Sequence, residues 1–236
     1  MGQLETLSNC KHQIGISLRH GERKLAQDAL SFEADTYGDI IQGDFLDSYR
    51  NLTYKAIMGL RWVSTYCKHA KFLLKTDDDV FVNIFNLVAL LRNRTEPAKK
   101  SLMCITMPSV VLRDKGNKWY VTRDEYPNDT YPTYCGGLAF LLTTDVADAL
   151  FEASLDTPFF WIDDIYVTGI LASKVGVVHE NIESMYEPRK HEFLQRFSKS
   201  WRSLKLIFGH VHNLDHIKQV WNYVTVEQNK TTTIIG

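Results

Sequence analysis

Three adjacent carboxylates, Asp77, Asp78 and Asp79, interrupt the apolar segment FLLKTDDDVFVN. Side by side they repel one another, and a hard divalent cation with oxygen ligands relieves that repulsion. Taken alone, Asp-Asp-Asp reads as a solvated acidic turn, because carboxylates are normally exposed. Position argues for more: KFLLKT, residues 71–76, reads as a buried strand, and open α/β sheets take ligands outside the carboxyl ends of their strands. A cation held there can bridge to a diphosphate and stabilise it as a leaving group. An EF-hand loop counted from Asp77 would place Val82 at its glycine position and Val88 at its glutamate position, which excludes that reading.

A second acidic pair, Asp163 and Asp164, sits in WIDDIYVTG at the start of a helical pattern. Exposed backbone N–H groups there favour ionised acids, and one of the two is suited to act as a general base toward a hydroxyl. The plainer reading is that Asp163 caps the helix and Asp164 is a surface acid. The aromatic flank PFFWI favours a pocket wall. In YPTYCGGLAFLL, Gly136 and Gly137 precede a strand and permit either a bulge or close backbone approach to a ligand. In FGHVHNLDH, His210 or His212 has the chemistry to complete a metal site, although a lone histidine is more often structural.

The elements that must position these residues alternate between the two periods. Tyr49, Leu52, Ala56, Leu60, Val63 and Cys67 fall at helical spacing, and Asn83 caps a second helix over Ile84 to Arg92. A short helix is expected around Lys24 to Phe32 and a short strand from Asp39. LMCIT and KWYVT predict a hairpin followed by an ordered loop. Leu138 to Leu142 and Val175 to His179 read as strands. Helices are expected from Thr143 or Thr144 to about Leu155, from Ile162 to Lys174, and from Leu214 to Val224, the last with Ile217, Val220, Trp221 and Val224 on one face. The pattern is α/β and one domain: a poorly defined segment 1–33, a catalytic domain 34–228 and a tail 229–236.

A length of 236 residues and a formal net charge of −1 suit a single enzyme-sized domain with no basic surface for nucleic acid. Cys10, Cys67, Cys104 and Cys135 form no C-x-x-C pair, so zinc-knuckle and thioredoxin-like sites are excluded and two disulfides with three connectivities stay open. N-x-S/T sequons at Asn51, Asn93, Asn128 and Asn229 are usable only in the secretory lumen. Neither a signal peptide nor a membrane-spanning apolar run is found in this sequence.

These motifs, in this order and together with DSYRNLTYKAIMGLRWVSTYC, resemble the β1,3-glycosyltransferases of glycosyltransferase family 31, from about Phe32 to Trp221. The resemblance implies a GT-A-like nucleotide-binding α/β sandwich and an inverting transfer of galactose or N-acetylglucosamine from a UDP-sugar to the 3-hydroxyl of a glycan on protein or lipid. It implies Mn²⁺ as cofactor, ligated by Asp79 with Asp77 and by His210, which counting back from Trp221 selects over His212. Asp77 and Asp78 would lie near the ribose and donor sugar, and Gly136, Gly137 and Asp163 would line the substrate. Asp164 of Asp163-Asp164-Ile165-Tyr166-Val167-Thr168-Gly169 would be the general base, with Asp163 replacing the commoner Glu. The Golgi lumen is the implied location. Members also carry a membrane anchor, a stem and a first nucleotide-binding strand followed by Arg-x-Ser/Thr-Trp, for which this sequence shows no counterpart. A degenerate relative that only binds glycans and a metal-dependent phosphohydrolase are the competing readings.

Overall fold

Strict alternation along the central strands sets the layering. In a strand, successive side chains point to opposite faces. In β6 (Tyr134–Thr143), Phe140 and Leu142 join one apolar core while Ala139 and Leu141 join another. In β5 (Ser101–Met107), Leu102 and Cys104 take the first side and Met103 the second. A sheet apolar on both faces must be covered on both.

The computed structural model describes residues 13–14, 23–94, 100–193, 195 and 205–234. The main sheet has the order β3-β6-β5-β7, where β3 is Phe72–Thr76 and β7 is Val178–Asn181. Its β3/β6 and β6/β5 pairs are antiparallel and its β5/β7 pair is parallel. On one face pack the helices α2 (Leu52–Tyr66), α4 (Thr144–Ser154) and α5, which starts with Asp163–Ile165. Against the other face lies a smaller sheet of order β4-β9-β8: β4 is Val80–Val82, β8 Tyr186–Glu187 and β9 Phe208–His210. Val80 and Phe208 fill the space between the sheets with Leu87 of α3 (Ile84–Arg92). Phe81, one residue on, points to the far side, where Val220 and Val224 of α6 (Leu214–Ile234) meet it.

Several expectations are met closely. Asn83 caps α3, its side-chain oxygen accepting the Asn86 N–H at 3.2 Å. α2 and β3 occupy the expected residues, and Gly176, with φ +69°, ends α5 in the left-handed conformation that suits a residue without Cβ. Others differ. The helix α1 (Arg23–Tyr37) is longer than the helix expected around Lys24 to Phe32, and α6 runs past its expected end at Val224. Two-residue strands β1 (Gln13–Ile14) and β2 (Ile40–Ile41) pair in parallel on either side of α1, separate from the main sheet. Trp221 is 42% exposed and stacks on Phe85, where an inward position was expected.

KWYVT is not a strand. From 108 to 133 the chain makes turns and a lone bridge between Val110 and Thr130. The reason is local hydrogen bonding that outcompetes a ladder. Asp114 accepts the Gly116 N–H, Asn117 accepts the Trp119 N–H, and the Arg113 guanidinium donates to the carbonyls of Val121, Thr122, Tyr126 and Asn128. In α5 the middle six residues, Tyr166–Leu171, widen to a π-helix, a form found mostly as single-turn bulges at functional positions.

Cys104 and Cys135 form a disulfide that links β5 to β6 across the irregularity in their pairing, and Cys67 is also disulfide-bonded. Cys10 lies outside the described residues. Replacing Cys104 and Cys135 by serine is expected to cost about 3–4 kcal/mol for a loop of this length and to lower the melting temperature by roughly 10 °C, measured by calorimetry. An unchanged melting temperature would show that the pairing of β5 and β6 holds without the staple.

Candidate functional site

The acidic triplet is the turn by which the chain leaves one sheet for the other. β3 ends at Thr76 in the main sheet and β4 begins at Val80 in the smaller one, with a turn closed by the Val80 N–H on the Asp77 carbonyl. Each end of the turn is tied to its own sheet. The Asp77 N–H donates to the Leu138 carbonyl at 3.0 Å, prolonging the β3/β6 ladder, and the Asp79 carbonyl accepts the Val211 N–H at 2.9 Å, prolonging β4/β9. Asp78, between them, is exposed.

The β4/β9 register sets Val80 opposite His210, and this brings His210 to Asp79 across 131 residues of sequence. His210 Nε2 lies 2.9 Å from Asp79 Oδ2, and Lys190 Nζ lies 2.8 Å from the same oxygen. Partial burial disfavours the Asp79 carboxylate, but hydrogen bonds and positive charge from Lys190 and His210 outweigh it and hold the carboxyl below the usual aspartate range. His212, the other candidate, is exposed beside His216.

The geometry of His210 fits a divalent cation. Nδ1 lies 3.0 Å from the Pro188 carbonyl oxygen, which can only accept, so Nδ1 carries a proton. A backbone carbonyl on the far nitrogen is the usual support for a metal-binding histidine, and it leaves Nε2, on the side of Asp79 Oδ2, as the nitrogen that could ligate. Asp77, expected as a further ligand, is engaged elsewhere: Lys75 Nζ holds its Oδ1 at 2.6 Å. Among the described residues no three His, Cys, Asp or Glu side chains converge closely enough to hold a metal.

The second acidic pair stands at the start of α5, with Ile162 as the capping position, so Asp163 lies inside the first turn and is not the cap. The Asp164 carboxylate accepts the Ile165 N–H at 2.8 Å. A Cβ on Gly137 would stand 3.3 Å from Asp164 Oδ2. Gly137 therefore gives room to Asp164, a neighbour that sequence spacing could not reveal, whereas Gly136 packs against Met107. Burial raises the Asp164 pKa, the charge of Asp163 adds to the rise, and the Ile165 N–H and Lys75 oppose it, leaving a value of about 6. Burial also raises Asp163, with Lys75 opposing and Asp77 adding.

Lys75 is the residue that sequence reasoning missed here. Its ammonium binds both the Asp77 carboxylate and the Gly137 carbonyl, and its charge reaches Asp163 and Asp164, so it links the two acidic motifs. The signal was present in its position two residues before Asp77 on β3. Around Asp164, Tyr131 and Tyr134 are titratable neighbours, each pushed up by burial first and by the Asp164 charge in addition.

A family model described as Galactosyltransferase matches residues 14–183. The chain belongs to the galactosyltransferase family. Among curated relatives, beta-1,3-galactosyltransferase 1 of Mus musculus is 41% identical over 146 residues, covering 61% of this chain and 44% of that protein. Beta-1,3-galactosyltransferase 2 of Mus musculus is 34% identical over 225 residues, covering 92% of this chain and 50% of its own length. Beta-1,3-galactosyltransferase 5 of Pan paniscus is 35% identical over 152 residues, with 64% and 50% covered. The chain spans about half the length of the curated relatives it matches. The two sheets with helices packed against them accord with the mixed α/β class expected from the sequence.

Asp164 gives a thermodynamic prediction. Its folded pKa lies above the unfolded value near 4, so the ionised carboxylate costs native stability above pH about 6, and the cost fades as the pH falls toward 4. Asp164→Asn, which keeps the acceptor for Ile165, is expected to stabilise the protein by on the order of 2 kcal/mol at pH 8 and by little at pH 4. Denaturant unfolding at the two pH values measures this, and equal effects at both would refute it.

Proposed function

We propose that this chain is the catalytic part of an inverting hexosyltransferase that moves galactose from UDP-galactose to the 3-hydroxyl of an acceptor glycan on protein or lipid. The observation that carries the proposal is the meeting of Asp79 with His210 at the turn between the sheets, 131 residues apart in sequence, in a chain of the galactosyltransferase family. The relatives, all named as beta-1,3-galactosyltransferases, favour galactose over N-acetylglucosamine as the donor sugar and β1,3 as the linkage.

In this reading Asp79 and His210 would hold Mn²⁺, which would supply positive charge to a diphosphate. Asp78, exposed at the tip of the turn, and Asp77, fixed by Lys75, face the ribose and the donor sugar. Asp164 removes the proton from the acceptor's 3-hydroxyl, whose oxygen attacks the anomeric carbon as the bond to UDP breaks. A carboxylate with a pKa of about 6 is ionised at neutral pH yet basic enough to share that proton in the transition state. Asp163 keeps Asp164 basic by its charge, and the buried aromatic wall of Phe160 and Trp161 just before it limits water. The attack is direct, so the anomeric configuration inverts and no enzyme-linked sugar forms.

The lumen of the Golgi apparatus suits this function. A disulfide such as Cys104–Cys135 persists in an oxidising compartment, which supports a luminal location. No described helix is long and apolar enough to cross a membrane. In the folded protein both side chains of the Asn51 sequon are engaged, the Asn51 amide donating to the Leu46 carbonyl and the hydroxyl of buried Thr53 to the Phe160 carbonyl.

Incubation with Mn²⁺, a panel of UDP-sugars and acceptor glycans, read by mass, is expected to show galactosyl transfer that Asp79→Ala and Asp164→Asn reduce at least about a hundredfold. Full activity in both variants would overturn the assignment, and glycan binding without turnover in the parent would favour a relative that only binds. The rate should rise through an acid limb centred near pH 6 as Asp164 ionises. Asp163→Asn removes the charge that raises Asp164 and is expected to move that limb to lower pH; a limb that stays in place would separate it from Asp164.

A further inference from the structure

The residues after β8 close over the Asp79–His210 pair. Glu187 is 1% exposed and its carboxylate takes the Arg189 Nε at 3.1 Å, while Arg189 also pairs with Glu192 at 2.6 Å. The Pro188 carbonyl fixes the His210 ring, and the next lysine, Lys190, reaches back to Asp79. A glutamate buried in its own ion pair anchors the segment, and that anchorage presents Lys190 to the acidic turn.

Lys190 and His210 bind one and the same oxygen, Asp79 Oδ2. A divalent cation at that carboxylate would stand within a few ångströms of the ammonium, and two like charges so close repel by several kcal/mol at the effective dielectric of a protein surface. Cation and ammonium therefore compete for the oxygen. The lysine side chain is about one-third exposed, at 31%, and has a flexible four-carbon stem, so it is free to leave. An ammonium displaced in this way remains next to the cation, where the bridging anion of a nucleoside diphosphate would lie.

We propose that Lys190 is the counter-ion of Asp79 in the cation-free protein and becomes a ligand of the donor's diphosphate when a divalent cation takes Asp79. The second half rests on the donor reading given above, and the first half does not. Lys190 thereby spares the empty turn its charge repulsion and is already at hand when the diphosphate arrives. It binds and positions, and takes no part in proton transfer.

Two binding measurements on the parent protein and on Lys190→Met, which keeps the aliphatic stem, decide the matter. Titration with Mn²⁺ alone, followed by the free-ion electron paramagnetic resonance signal, is expected to show several-fold tighter binding in the variant because the competing ammonium is gone. Calorimetry with uridine and with UDP at saturating Mn²⁺ is expected to show UDP about tenfold weaker in Lys190→Met, uridine unchanged, and partial recovery of UDP affinity in Lys190→Arg. Unchanged or weaker Mn²⁺ binding in the variant overturns the counter-ion role. Equal losses for UDP and uridine overturn the phosphate role. A parent that binds Mn²⁺ but not UDP overturns the donor reading and the phosphate role with it, while the Mn²⁺ titration still decides the counter-ion role.

Discussion

The whole site hangs on a three-residue turn whose ends belong to different sheets. Asp77 is locked to β6 through the Leu138 carbonyl, and Asp79 is locked to β9 through the Val211 N–H. A turn held at one end only would let its carboxylates spread apart in solvent to relieve their repulsion. Held at both, it must keep them near one another, and the protein meets the charge with lysines: Lys75 on Asp77 and Lys190 on Asp79. Backbone hydrogen bonding thus fixes where the negative charge sits, and side chains decide what answers it.

The same economy joins the turn to α5. Lys75 lies on β3, and its ammonium meets the Gly137 carbonyl on the neighbouring strand β6. At Gly137 the missing side chain lets the Asp164 carboxylate approach the sheet. The π-helical widening just after Asp164 is stitched by Thr168, whose hydroxyl donates to the Asp164 carbonyl and accepts the Cys135 N–H. One buried hydroxyl therefore connects the disulfide-bearing strand to the helix that carries the acid. Because a half-buried carboxylate is sensitive to each of these neighbours, its basicity depends on the packing of three separate elements.

Much of the fold could be read from the sequence because burial imposes periodicity. α2, α3 and β3 announce themselves by apolar spacing, and Asn83 by its capping chemistry. Position at a strand end distinguished Asp77 to Asp79 from an ordinary acidic loop, and His210 over His212 followed from likeness to a family rather than from spacing. The segment KWYVT misled because β-propensity measures side-chain fit to a pleated surface, and here Arg113 offers its carbonyls a different partner. Lys75 offered only its place two residues before Asp77 on a strand, and Lys190 left no pattern to read. A lysine is polar on any face, and the partner of Lys190 lies 111 residues away.

That separation has a consequence for how the protein comes into being. The main sheet, the disulfide pair and Asp164 are all encoded before residue 182, but β9, which delivers His210, is made close to the end of the described chain. During synthesis the acidic turn must therefore emerge and wait, its Asp79 end without the strand that later pins it, while more than a hundred residues follow. Contacts of such long sequence range close late and slowly. The Asp79–His210 contact is then a mark of completed assembly, and a chain halted before β9 could bury most of its core without ever forming it.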